Sequence, residues 1–271
     1  MATETDGRTK GSRSPRDPAT SPVCFLTFFG HLVSYLGRPG PERSPGSLET
    51  LPGRCVDYRG QTHIAGVPRP AAPVYISFDG TEGSSTGALL PTGNVRDVVG
   101  GHVVTLIDNG MPVVLIDAAH LGLEGTEPPA DLEADVAQCA TIEALRVEAA
   151  RLMNLGDVGE ATVPKITICS PPRHGGTLTT RTFIPHRVHT SIGVLGGVTV
   201  ATAVAIDGTV AAAVAGPRMP DGAIRIEHPT SFVDIRIEVS RADGVWHARR
   251  SSVVRSARKL FDGIVWPWEE A

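Results

Sequence analysis

From residue 57 onward, apolar and polar positions alternate along much of this chain, and the alternation predicts strands more often than helices. Val74-Tyr75-Ile76-Ser77-Phe78 is rich in β-branched and aromatic residues, entered through Pro73 and closed by Asp79-Gly80. Residues 102–107 and 112–116 predict two more strands. They are joined by Asp108-Asn109-Gly110, a turn whose Asn and Gly accept positive φ. Residues 166–170 and 178–184 predict a pair of strands around Pro171-Pro172 and Gly175-Gly176. Residues 223–239 alternate as Ile224-Arg225-Ile226 and Ile235-Arg236-Ile237, giving one or two strands, and Val253 opens a last one.

Two segments follow a different period. Over residues 132–154, Leu132, Val136, Cys139, Ala140, Leu145, Ala149, Leu152 and Met153 recur mostly at helical spacing, which predicts a helix with these residues on its buried face. Asp131 is the expected N-cap, and Gly156 closes the far end. Residues 191–205 are small and apolar throughout, predicting a helix packed on all sides with Thr190 or Ser191 as its cap. Many strands with few long helices make the expected class α+β.

At 271 residues the chain is long enough for one large or two small domains with a buried core. A formal net charge of −4 argues against a general nucleic-acid binder. No apolar run is long enough for a membrane span. Cys24, Cys55, Cys139 and Cys169 lack metal-ligand or CxxC spacing, the pattern of a reduced cytoplasmic protein with incidental thiols. Residues 1–56 stand apart: they are rich in Arg, Ser, Thr, Pro and Gly around one apolar patch at 23–36. A basic start before an apolar core also fits a leader peptide, but Gly30 and His31 interrupt that core. A disordered or aberrant N-terminus is expected there.

The strongest chemical signal is Pro185-His186-Arg187-Val188-His189-Thr190-Ser191-Ile192-Gly193. A strand ends, a turn presents two His and an Arg, and a small-residue helix opens. Helix N-terminal N–H groups bind anions, and an Arg adds a bidentate carboxylate contact. A merely capped helix with surface histidines explains the same residues about as well. Asp108 and Asn109 either bind a substrate hydroxyl or carboxylate, or only stabilise their turn. Lys165 reads as a surface lysine, with a cleft-facing role as the alternative. Ser256, Arg258 and Lys259 form a basic cluster that is either a solvated charge run or a second carboxylate contact. Dinucleotide, Walker, zincin and GxSxG motifs are missing, and the two histidines at 186 and 189 have no third ligand nearby, so no metal site is expected.

Several blocks in fixed order resemble the PrpF family, in its 4-oxalomesaconate tautomerase branch. They are Leu89-Leu90-Pro91-Thr92-Gly93-Asn94, Asp108-Asn109-Gly110-Met111-Pro112, Glu143-Ala144-Leu145-Arg146, Val163-Pro164-Lys165, the 182–189 stretch and Ala257-Arg258-Lys259-Leu260. The resemblance implies a diaminopimelate-epimerase-like fold, in which sheets wrap round central helices in two domains. It maps residues 57–98 to a remnant of the first domain, 99–250 to the second, and 251–271 to a segment returning to the first. Relatives carry a Gly-Gly-Thr-Ser-Lys-Gly-type segment and a Cys-Gly-Asn-type turn in the first domain. Residues 1–56 contain neither, so impaired activity is expected.

The implied reaction is a cofactor-independent 1,3-proton shift on an unsaturated tricarboxylate, within gallate or protocatechuate breakdown. Acid/base roles need groups with tunable pKa, and within this chain these are His186 and His189, with Lys165 as a third candidate. The expected substrate contacts are Asp108, Asn109, Met111, Arg187, Thr190, Ser191, Gly193, Ser256 and Arg258, with Arg187 ranked above Lys165. The alternatives are 2-methylaconitate cis-trans isomerisation or a non-catalytic carboxylate-binding remnant. The expected partner is a di- or tricarboxylate, with no nucleic acid or membrane and a homodimer left open.

Overall fold

The computed structural model describes residues 58–258, together with the backbone of four short strands before them. β1 (Cys24–Phe28) and β2 (His31–Tyr35) pair antiparallel, so a hairpin forms where the sequence predicts disorder. They belong to a compact unit spanning Met1–Arg43, distinct from Ser44–Ala271. β3 (Thr50–Leu51) and β4 (Cys55–Val56) form a second small pair. Expectations for the other residues before 58 and for 259–271, Lys259 included, lie outside the described residues.

Nine strands make the main sheet: β5 (Pro73–Phe78), β6 (Asp97–Val99), β7 (His102–Asp108), β8 (Pro112–Asp117), β9 (Lys165–Ser170), β10 (Leu178–Phe183), β11 (Ile224–His228), β12 (Ser231–Ala242) and β13 (Val245–Ser256). Their spatial order is β5-β13-β12-β11-β10-β9-β8-β7-β6. The β8–β9 and β10–β11 pairs are parallel and the rest antiparallel. β5 pairs with Ser251–Ser256 of β13, so Pro73–Phe78 and the end of β13 continue the same sheet as the strands between them.

The helices explain which strands are apolar on both faces. α3 (Val194–Ala205) lies against one face and touches β7, β8, β11, β12 and β13. Ile107, Val113, Leu115, Ile226, Ile235 and Val253 pack on that side with Val198 and Ala201 of the helix. On the other face α2 (Val136–Leu152) covers only the β6–β9 half, against Val104, Leu106, Val114, Ile116, Ile166 and Ile168. β7 and β8 therefore carry continuous apolar runs, whereas β12 alternates between buried Val233, Ile235, Ile237 and polar Asp234, Arg236, Glu238. Gly197 shows how close the sheet comes: an added Cβ would stand 3.0 Å from Ile235 Cδ1.

The helix expected at 132–154 is two helices. α1 (Pro129–Ala134) ends at Asp135, whose carboxylate accepts the Gln138 N–H at 2.9 Å and caps α2. Asp131 is thus inside the first turn of α1 and caps nothing. The break shifts the buried face to Leu132, Ile142, Leu145, Arg146, Ala149, Ala150 and Met153. It leaves Val136 80% exposed and Ala140 outside, against expectation. The far end turns at Asn154, with φ of 59°, before Gly156 is reached. Arg146 is fully buried: it forks onto Glu143 at 2.7 Å twice and donates to the carbonyls of Val158, Ala161 and Val163. A short α4 (Val210–Val214), capped by Thr209, completes the inner layer.

The turn between β7 and β8 is where these layers are joined. Asn109 is sealed from solvent. Its amide Nδ2 donates to Thr202 Oγ1 on α3 at 2.9 Å and to Ser251 Oγ on β13 at 3.0 Å. Its Oδ1 accepts from Thr81 Oγ1 at 2.7 Å, and its backbone N–H donates to Thr199 Oγ1 at 3.1 Å. Gly110 follows with φ of 90° and approaches Leu195, so a side chain there would be strained twice over. Asn109→Ala would leave the buried hydroxyls of Thr202 and Ser251 and the half-buried one of Thr81 short of a partner, a cost of about 3 kcal/mol at 1–3 per buried polar group. Urea unfolding should show that loss, while Val98→Thr, at a side chain 68% exposed, should stay within about 0.5 kcal/mol. An Asn109→Ala midpoint equal to that of Val98→Thr would contradict the assignment.

Candidate active site at the N-terminus of the central helix

α3 begins at the rim where β9, β12 and β8 start and where β7, β10, β11 and β13 end. Gly193 is its N-cap and supplies no side-chain cap, in place of the expected Thr190 or Ser191. The first N–H groups of the helix are therefore left for another acceptor. Strand register brings side chains of the same face to this rim. His228 continues the inward series of Ile224 and Ile226, Arg255 continues that of Ser251 and Val253, and Lys165 sits beside Val113.

Two imidazoles hold Ser191. Its backbone N–H donates to His189 Nδ1 at 3.0 Å, and its Oγ lies 3.4 Å from His228 Nε2. His228 Nδ1 in turn accepts the Ser231 N–H at 3.2 Å and lies 3.3 Å from Thr230 Oγ1. Both rings titrate below the ordinary histidine value. Burial is the main cause for His189, with the Lys165 charge adding to it. His228 is pushed down to about 4, chiefly by burial, against a backbone hydrogen bond with Phe232 that raises it, with the neighbouring His189, Arg181 and Arg255 charges lowering it further. Burial and the Arg146 charge also lower Lys165, and burial lowers Arg255 against the pull of Asp234. The rim therefore combines cations, neutral imidazoles, a hydroxyl and helix N–H groups that no side chain caps among the described residues, a set suited to a carboxylate.

The sequence candidates divide between two places. His189, Ser191 and Gly193 belong to the rim, while Thr190 faces solvent and its carbonyl accepts from Thr230 Oγ1 at 2.9 Å. His186 and Arg187 point instead to the α1–α2 side. His186 is 65% exposed with Nδ1 3.7 Å from Glu143, and Arg187 is 81% exposed with Nε 3.7 Å from Glu133. The cause is a tight turn: Ile184 N–H bonds Arg187 O, and Val188 N–H bonds Glu133 at 2.8 Å.

Asp108 and Asn109 are fully buried and shape the turn from within, where the sequence suggests substrate contacts. Asp108 Oδ2 takes the N–H groups of Ser85 and Thr86 and the Thr86 hydroxyl, and its Oδ1 is buried without a partner. Met111 packs on the inner core and its carbonyl accepts from Thr199 at 2.9 Å. Ser256 is half-buried opposite Pro73 and Arg258 is exposed.

His228 and Arg255 are absent from the sequence candidates. Extending the period-2 pattern of each strand to its last residue would have found both. A groove of about 380 Å³ opens on the opposite face of the sheet between Arg173, Arg181, Arg225, Glu227 and Phe232, and at the rim it is also lined by His228, Thr230 and Ser231. There Arg181 is spent on three backbone carbonyls, Arg225 on Asp234, and Glu227 on the N–H groups of Arg173, His174 and Gly176 and on Thr179. Among the described residues no group of three or more His, Cys, Asp or Glu is placed to hold a metal, and no helix is long and apolar enough to cross a membrane.

Comparison with known proteins bears on this geometry. The model of the family described as PrpF protein matches residues 48–267. The chain is 50% identical over 217 residues to the (4E)-oxalomesaconate Delta-isomerase of Novosphingobium sp., covering 79% of this chain and 59% of that protein. It is 50% identical over 211 residues to the 4-oxalomesaconate tautomerase of Pseudomonas putida, covering 78% and 57%. A 2-methyl-aconitate isomerase of Shewanella oneidensis is 32% identical, with 78% and 59% covered. The chain thus spans less than two thirds of the length of these relatives. The crystal structure of a methylitaconate-delta-isomerase superposes with a TM-score of 0.69 at 22% identity, over 83% of this chain and 65% of that one. The fold is α+β and diaminopimelate-epimerase-like.

The histidine environment gives a testable pH dependence. A folded His228 that stays neutral to about pH 4, against an unfolded value near 6.5, binds fewer protons than the unfolded chain between those limits. Stability should therefore fall as pH drops from about 6.5 toward 4 and level off below. His228→Gln should flatten part of that slope in urea unfolding at stepped pH. An unchanged slope, or a ring titrating near 6.5 by NMR, would contradict the burial argument.

Proposed function

This chain belongs to the PrpF family, and from that premise we propose that it acts on an unsaturated tricarboxylate by a 1,3-proton shift, with 4-oxalomesaconate as substrate. The carrying observation is the rim at the start of α3, where Ser191 lies between His189 and His228 next to a helix N-terminus without a side-chain cap, and the Lys165 and Arg255 charges act on those two rings. In this reading one substrate carboxylate sits on the first N–H groups of α3 and on Ser191 Oγ. Lys165 and Arg255 supply charge as the proton leaves the adjacent carbon. A carbon acid beside a carboxylate is weak, so stabilising the developing oxyanion is the main task, and fixed donors perform it without reorganising.

His189 is the candidate acid/base group within the described residues. Its Nδ1 is held by Ser191 N–H, which leaves Nε2 to exchange a proton. The 50% identity to two oxalomesaconate enzymes favours that substrate over 2-methylaconitate, whose named isomerase is 32% identical. The reading includes a place in gallate or protocatechuate breakdown, a cytoplasmic location and a homodimer. It also assigns residues 57–98 and 251–271 to the first domain of the family architecture.

The geometry reverses the ranking of the two cations: Lys165 now stands above Arg187. Lys165→Met should weaken binding of trans-aconitate, an unsaturated tricarboxylate, by about tenfold, as for one charge-assisted contact. Arg187→Ala, at an exposed pair with Glu133, should change it by less than about threefold. Calorimetric titration of each purified variant checks this, and the opposite order would return the carboxylate to the α1–α2 side of the turn.

A further inference from the structure

We infer that His228 is a positioning residue that makes the Ser191 hydroxyl a hydrogen-bond donor toward the substrate carboxylate. This rests on the carboxylate site proposed above and names the device that orients it.

The argument begins with the ring's two nitrogens. Nδ1 faces the Ser231 N–H at 3.2 Å, and an amide N–H has no lone pair to offer. Nδ1 is therefore the acceptor and carries no proton. In a neutral ring the proton must then sit on Nε2, the atom 3.4 Å from Ser191 Oγ. Thr230 Oγ1, 3.3 Å from Nδ1, directs its own hydrogen to Thr190 O at 2.9 Å, so it does not reverse that assignment.

Ser191 thus receives a hydrogen from His228 into one lone pair, and its own O–H is free to turn away from the ring. Its backbone is fixed independently by the bond to His189 Nδ1. A hydroxyl held in this way presents its proton to an anion lying on the α3 N-terminus, two residues along the chain. The 3.4 Å separation is longer than an ordinary bond of this kind, and catalytic contacts of unliganded sites commonly shorten on binding. The β11–β12 hairpin, whose ends pair His228 with Ser231, is the element that fixes the tautomer.

Two variants separate the functions of the ring. His228→Gln keeps an N–H donor near the Nε2 position, whereas His228→Phe keeps the volume and removes the donor. Long-range proton–nitrogen correlation on ¹⁵N-labelled protein at pH 7 reads the tautomer directly. Titration with trans-aconitate, followed at the Ser191 amide, reads binding. The expected result is an Nε2–H ring, affinity about tenfold lower in His228→Phe, and affinity within about threefold of the parent in His228→Gln.

An Nδ1–H ring would overturn the inference, as would a His228→Phe variant that binds as tightly as the parent. If His228→Phe fails to fold by circular dichroism, the tautomer and the Gln variant decide, and a tenfold loss in Gln overturns the proposal. If the parent shows Nε2–H and yet binds no aconitate, the carboxylate reading itself fails and carries this inference down with it.

Discussion

One buried amide ties the molecule together. Asn109 stands at the end of β7 and reaches α3, β13 and the Thr81 turn at once, through four hydrogen bonds made entirely in the interior. A buried amide left unpaired costs more than its bonds contribute, so the four partners constrain one another strongly. Thr199 and Thr202 sit on α3 because a helix enclosed by a sheet needs polar groups where the turn crosses it. Small residues elsewhere on the helix let the strands close in. A strand from the C-terminal part of the chain is thereby locked to a turn some 140 positions earlier.

That lock decides where the proposed site lies. Fixing α3 against the β7–β8 turn holds its N-terminus at the rim where seven strands begin or end, and Lys165, His228 and Arg255 arrive there by strand parity alone. The same turn of residues 184–193 faces two ways: its first half answers to acids on α1 and α2, its second half to the helix. His189 in the second half and His228 at the end of β11 are partly buried beside cations, and both effects keep them neutral. Neutral imidazoles can donate, accept and pass a proton in a site whose positive charge is left to lysine, arginine and the helix dipole.

The strand order of the fold was not legible in the sequence, but most of its parts were. Apolar and alternating runs placed most strands of the main sheet, but not the three-residue β6 nor the first part of β13, which starts at Val245 where the sequence reading opens it at Val253, and the small-residue run at 191–205 marked the enclosed helix. The break at Asp135 was missed because helical spacing on its two sides nearly matches, and only the cap reveals the change of axis. Asp108 and Asn109 looked like ligand contacts because turns with those residues often are; burial by α3, a long-range effect, gives them an internal task. His186 and His189 are indistinguishable in sequence, three residues apart, and the tight turn between them sends them to opposite sides. His228 was overlooked because its strand seemed to stop at the isoleucines.

The most direct measurement is a structure of this chain with trans-aconitate bound. The account predicts a carboxylate on the first N–H groups of α3, within hydrogen-bonding distance of Ser191 and close to Lys165, with His228 Nε2 drawn toward Ser191 Oγ. A ligand seated beside His186 and Arg187, or in the groove between Arg173 and Arg225, would contradict it.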